Sequence, residues 1–144
     1  FRLGLEESSL TLTHRLSNRS REAATLRHGL EWSFGVPSGE VERVLLRTLS
    51  GEKEECFSLV DGPQVVPVGT SFQWEAPSAD LCVQIELDQP LSLWWAPVQT
   101  LALGPDGWTE QIQGNTLLFF APVQLWGQGE RRLQLRLRFC SLAG

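Results

Sequence analysis

The sequence contains no methionine and no tyrosine, and Lys53 is its only lysine. With Phe1 where a reading frame would open on Met, the sequence is expected to be a processed chain or an excised piece of a larger protein. The strand-like opening of Phe1, Leu3 and Leu5 favours the second. Long apolar runs are missing too. None reaches the roughly 18 residues that a membrane-spanning helix needs, so no membrane partner is expected. No basic stretch followed by an apolar one opens the chain, which speaks against a signal peptide. The net charge is −5, and so the chain as a whole offers no phosphate-binding surface and nucleic acid is not expected as a partner.

Sulfur and imidazole are also scarce. The cysteines are Cys56, Cys82 and Cys140, and the histidines are His14 and His28. No CxxC and no Cys/His cluster occurs, so no metal site is expected. An odd number of widely spaced cysteines fits reduced thiols in a reducing compartment, and a cytoplasmic location is the expectation. There is no GxSxG string and no glycine-rich phosphate loop, so neither a serine nucleophile nor a cofactor is implied. Gly127-Gln128-Gly129 reads as a turn, because no helix follows it.

What is present is a chain of 144 residues, 42% hydrophobic and 20% charged. A chain of that length buries about two-thirds of its unfolded surface and suits one domain. Residues 1–144 are therefore read as a single unit. The dominant pattern has a period of two. Leu10, Leu12, His14 and Leu16 share one face, and Thr11, Thr13 and Arg15 the other. From Ala24 to Phe34, one face carries Leu26, His28, Leu30, Trp32 and Phe34. Leu133, Leu135, Leu137 and Phe139 form one side of the last strand. Further strands are expected at Val41–Leu49, Glu55–Val60, Ser71–Ala76, Leu81–Asp88, Ser92–Leu103, Trp108–Gln113 and Thr116–Phe120. Turn residues separate them at 37–39, 50–51, 61–63, 77–79, 104–107 and 127–129. No stretch of ten or more residues has a convincing helical period. The fold class expected is all-β, an antiparallel sandwich.

Few residues point to chemistry. His14 and His28 lie on core faces and are placed to meet across neighbouring strands, where a hydrogen-bonded core role is favoured over a metal. Glu86 and Asp88 share a solvent face, and Glu52, Glu54 and Glu55 cluster at a turn. Both groups read as solvated surface rather than as a catalytic pair. The face of Arg132, Arg136 and Arg138 is expected to pair with acids such as Glu86. The compositional oddity is tryptophan, with six residues. Trp32 shares the face of Leu30 and Phe34 and is expected in the core. Trp94 and Trp95 are adjacent, so one must point away from the other. Trp74, Trp108 and Trp126 adjoin polar or turn residues. Trp74, Trp95 and Trp108 are the candidate carbohydrate-binding residues, since an aromatic ring with a polar surround suits a sugar.

Several strings resemble one family. Leu30-Glu31-Trp32-Ser33-Phe34-Gly35 with Pro37-Ser38-Gly39 is similar to a strand-and-loop segment of the C-terminal β-domain of α-amylase/4-α-glucanotransferase enzymes, glycoside hydrolase family 57. Asn18-Arg19-Ser20 resembles that family's N-R-S turn. Leu93–Thr100, Gly107–Glu110 and Gln113-Gly114 resemble its later segments, and Arg132–Phe139 takes the place of its closing strand. The loop after Gly39 is shorter than the family's, and the family's domain is larger. The resemblance implies a galactose-mutarotase-like supersandwich, or a large part of one, and a parent enzyme acting on α-1,4-glucans with retention. That family's catalytic carboxylates lie in an N-terminal barrel, and no position here corresponds to them. The expected function is that of a non-catalytic accessory domain, partnered by the catalytic domain of the same parent chain. An α-glucan ligand is compatible with it. The alternative is a structural or homodimer-forming sandwich without sugar binding. A mutarotase-like enzyme in its own right is the weakest reading.

Overall fold

The computed structural model describes residues 2–4, 8–35, 43–49 and 54–142. Within them run nine strands: β1 Arg2–Gly4, β2 Ser9–Ser17, β3 Ala24–Gly35, β4 Leu45–Thr48, β5 Cys56–Ser58, β6 Gln64–Ala76, β7 Leu81–Gly104, β8 Gly107–Leu125 and β9 Glu130–Cys140. Every ladder between them is antiparallel.

The ladders build two layers that share two strands. The first layer runs β5-β4-β6-β7-β9-β2-β1 and uses Ser71–Ala76 of β6 and Leu81–Leu87 of β7. The second runs β6-β7-β8-β3 and uses the start of β6 and the part of β7 from Leu91 onward. Both shared strands turn the corner between layers, a known way for one strand to serve two sheets. β6 bends where its register slips on either side of Gly69. β7 bends between Leu87 and Leu91. Pro90 sits in this gap, past the last β9 pair and before the first β8 pair, so its missing N–H removes no ladder bond.

Ring contacts show that the layers face each other. Phe72 on β6 meets Phe119 on β8 at 5.7 Å, and Phe34 on β3 stacks on Trp74 of β6 at 4.8 Å. Neither pair belongs to strands that share a ladder. The core between the layers takes the odd residues of β7 and β9. It includes Val83, Ile85, Leu87, Leu91, Leu93, Leu133, Leu135 and Leu137, together with Leu30, Leu46, Leu117 and Phe119. The antiparallel all-β sandwich expected from the alternation is thus the fold.

The differences from the sequence reading lie in strand continuity. Leu81–Asp88 and Ser92–Leu103 are one strand, because Pro90 bends β7 without ending it. Trp108–Gln113 and Thr116–Phe120 are also one, interrupted only by a bulge near Gly114. A Cβ on Gly114 would lie 2.4 Å from the Phe34 carbonyl oxygen, so this close approach of two backbones requires glycine. The strand at Ser71–Ala76 begins earlier, at Gln64. The strand at Glu55–Val60 shortens to Cys56–Ser58 and passes into a 3-10 turn at Leu59–Asp61. The turns expected at 37–39 and 50–51 lie outside the described residues.

Candidate functional site

The tryptophans divide by layer and by face. Trp74 and Trp95 are 1% and 0% exposed. Both therefore fail as sugar platforms in the folded domain, because neither has a ring face to offer. The alternation explains this. Phe72, Trp74 and Ala76 share the inner face of β6, and Leu91, Leu93 and Trp95 share the inner face of β7. The Trp95 indole N–H donates to Asn115 Oδ1 at 3.1 Å, which satisfies it inside the core. The sequence carried that signal at both positions. Trp94 points the other way and is 37% exposed, as adjacency on a strand requires.

Trp108 is 69% exposed and sits on a projecting ribbon. Beyond the end of β3 at Gly35, β7 and β8 pair only with each other, up to the turn between Gly104 and Gly107. Leu101 and Leu103 lie on the same side of β7 as Leu93 and Trp95. Across the ladder, Trp108 opposes Leu103 and Ile112 opposes Gln99. The core-facing side of the second layer therefore continues past the sandwich, where no described strand of the first layer covers it. Leu101 and Leu103 are 66% and 70% exposed there.

The two histidines do meet. His14 on β2 and His28 on β3 lie on facing edges of the two layers, with ring centroids 5.5 Å apart. They line a small cavity with Arg131, Gln89 and apolar residues of β7, β8 and β9, with room for little more than one water. The Arg131 guanidinium donates to Gln89 Oε1. Burial, then the neighbouring His14 and Arg131, hold His28 below the usual histidine value. Among the described residues, no carboxylate lines this cavity.

Several charged groups elsewhere have structural partners. Glu86 lies directly opposite Arg136 on the outer face of the first layer. Buried Glu75 accepts from Arg47 Nε at 2.9 Å and from Gln73 Nε2 at 2.7 Å. Arg15 pairs with Glu130. Among the described residues, no three His, Cys, Asp or Glu side chains come together in a way that could hold a metal.

Asn18, the first residue of the N-R-S turn, acts as a clip. Its Nδ2 donates to the carbonyls of Glu22, Leu125 and Trp126 at 2.7, 3.3 and 3.1 Å. Its Oδ1 accepts from the Ser20 N–H at 3.0 Å and from Ser20 Oγ at 2.9 Å. One side chain thus ties the β2–β3 crossover to the end of β8. One of the strings that carried the resemblance is a structural joint.

Comparison with known proteins agrees with this architecture. Residues 2–137 match the model of a family described as alpha-amylase/4-alpha-glucanotransferase, C-terminal. No curated protein sequence matches the chain. The crystal structure of 4-alpha-glucanotransferase from Thermococcus litoralis is similar, with 23% identity and a TM-score of 0.56 over 92% of this chain, but only 16% of that protein. The Slr1438 protein of Synechocystis sp. PCC 6803 is similar in fold, with 12% identity and a TM-score of 0.63 over 93% of this chain and 51% of its own. The chain thus spans a minor part of the first structure and about half of the second. By the match over residues 2–137, this chain belongs to the family of α-amylase/4-α-glucanotransferase C-terminal domains.

Proposed function

We propose that this chain is a non-catalytic accessory domain of an α-glucan-processing enzyme and packs against the catalytic part of its parent chain. The observation that carries the reading is the uncovered inner side of the β7–β8 ribbon, with Leu101, Leu103 and Trp108 side by side. Apolar side chains gathered on one projecting face mark an interaction surface. The family supplies the partner, since its description makes this a C-terminal region of a glucan-processing enzyme.

At the cavity of His14 and His28 the imidazoles meet a guanidinium and an amide. The way β6 and β7 serve both layers supports placing the sandwich among the galactose-mutarotase-like folds. A cytoplasmic setting fits the thiols. Cys82 and Cys140 face each other across β7 and β9 as free thiols, and burial pushes Cys82 up to about 12. A thiol count of three on the purified protein, denatured without reductant, checks that setting.

The docking test uses the full-length parent enzyme with Leu101→Ser, Leu103→Ser and Trp108→Ser combined. The expected result is a parent whose C-terminal domain melts separately and whose activity on α-glucan is less heat-resistant, while the 144-residue chain alone melts as before. An unchanged parent contradicts the reading. A 144-residue chain that sediments as a dimer, and as a monomer when the triple substitution is made, would instead favour the homodimer alternative.

A further inference from the structure

We infer that the outer face of the second layer carries a binding groove for an α-1,4-linked glucan, centred on Trp94 and not on the tryptophans of the core or the ribbon. The inference rests on the α-glucan reading above for the linkage, and on the local geometry for the site.

The ladder fixes the groove. On the outer face, Gly29 of β3 lies opposite Phe120 of β8, and Phe120 lies opposite Ser92 of β7. One step along, Glu31 opposes Leu118, and Leu118 opposes Trp94. The missing side chain at Gly29 leaves a depression of about 400 Å³, open to solvent, against Arg27, His28, Trp94, Leu118 and Phe120. Arg27 lines it, and Glu31, about 13 Å from Arg27 along the extended strand, lies just outside its lining on the same face of β3. Both are exposed, and among the described residues neither takes part in an ion pair or a side-chain hydrogen bond.

The chemistry selects the ligand. An apolar floor with aromatic rings matches the C–H faces of a pyranose. The Arg27 guanidinium in the lining and the Glu31 carboxylate just beyond it match hydroxyls, which accept from the one and donate to the other. A lipid or an apolar peptide would leave the Arg27 charge buried without a partner, which is costly. A nucleic acid would meet Glu31 and a chain of net charge −5. A neutral polyhydroxyl chain fits all of these features.

The test is a titration of the ¹⁵N-labelled chain with maltoheptaose, with cellohexaose as control, following the six indole N–H signals. Trp94 is expected to shift saturably at millimolar maltoheptaose, while Trp108 and Trp126 stay still. Arg27→Ala with Glu31→Gln, both exposed, should weaken binding about tenfold without altering the rest of the spectrum. Gly29→Leu should block it. The Cβ at that position meets the movable Leu118 Cδ1 at 3.1 Å, so the substitution fills the groove and spares the backbone ladder. No saturable shift at Trp94, variants that bind like the wild type, or equal binding of cellohexaose would each overturn the inference. Those failures leave the docking role of the ribbon standing. A parent unaffected by the ribbon substitutions, together with intact binding at Trp94, would sink the docking role alone.

Discussion

The paired strands β7 and β8 are covered along one half and bare along the other. In the covered half, Leu93, Trp95, Leu117 and Phe119 face the first layer and are sealed in the core. In the bare half, Leu101, Leu103 and Trp108 continue the same face with nothing described above them. The bare half keeps large apolar side chains on that face, with Glu110 opposite Leu101 and Gln99 opposite Ile112 among them. What differs is the length of the opposing layer. Alternation along a strand determines which side chains share a face, but the cover over that face comes from elsewhere in the chain. A tryptophan can thus be a core residue at position 95 and a docking residue at position 108.

The largest predicted contrast follows from that difference. Trp95→Ala should cost about 3–5 kcal/mol, because it opens a cavity in the core. It also strips Asn115 Oδ1 of its donor. Chemical denaturation of the 144-residue chain measures it. A cost as small as that of a surface substitution would break the distinction between the halves. Asn18→Ala should cost about 1–3 kcal/mol, since the carbonyls of Glu22, Leu125 and Trp126 lose a shared donor. The loss should be recovered in part by Asn18→Ser, which keeps a donor at the joint.

A smaller effect is expected from pH. His28 faces His14 on β2 and Arg131 on β9, and with its burial they hold it below the ordinary value. The unfolded chain therefore binds a proton at His28 at a higher pH than the folded chain does. Stability should be at its full value above about pH 7 and should decline as the pH falls through the ordinary histidine value of about 6.5, levelling off below the folded value. Denaturation curves across that range check it, and His28→Leu should flatten the decline. A slope that survives the substitution would assign it to other groups. Smallest of all, Trp108→Ala should change the stability of the isolated chain by no more than about 0.5 kcal/mol, because its ring is not part of the core. A large loss would mean that the ribbon face is covered after all.

Much of this was legible from residue order. The faces of β2, β3 and β9 followed from strict alternation, which put His14 and His28 both toward the core, but they meet across the two layers and not on neighbouring strands. The inward placement of Trp74 and Trp95 was also written there, in Phe72-x-Trp74-x-Ala76 and Leu91-x-Leu93-x-Trp95. The polar neighbours of Trp74 and the adjacency of Trp94 masked it. Strand continuity was hidden, because Pro90 and Gly114 look like strand ends locally. They act instead as a corner and a bulge, features set by which layer the strand joins next. The groove at Trp94 was hidden for a related reason. It depends on Gly29, Leu118, Phe120 and Trp94 falling into adjacent rows of three strands, and only the register brings them together.

The most direct test of the account is amide hydrogen exchange along Val98–Gly114, in the 144-residue chain alone and within the full-length parent enzyme. The account predicts fast exchange for the ribbon in the isolated chain and strong protection of the residues around Leu101, Leu103 and Trp108 in the parent, with the core strands unchanged. Equal exchange in both would contradict the docking of this domain through its ribbon.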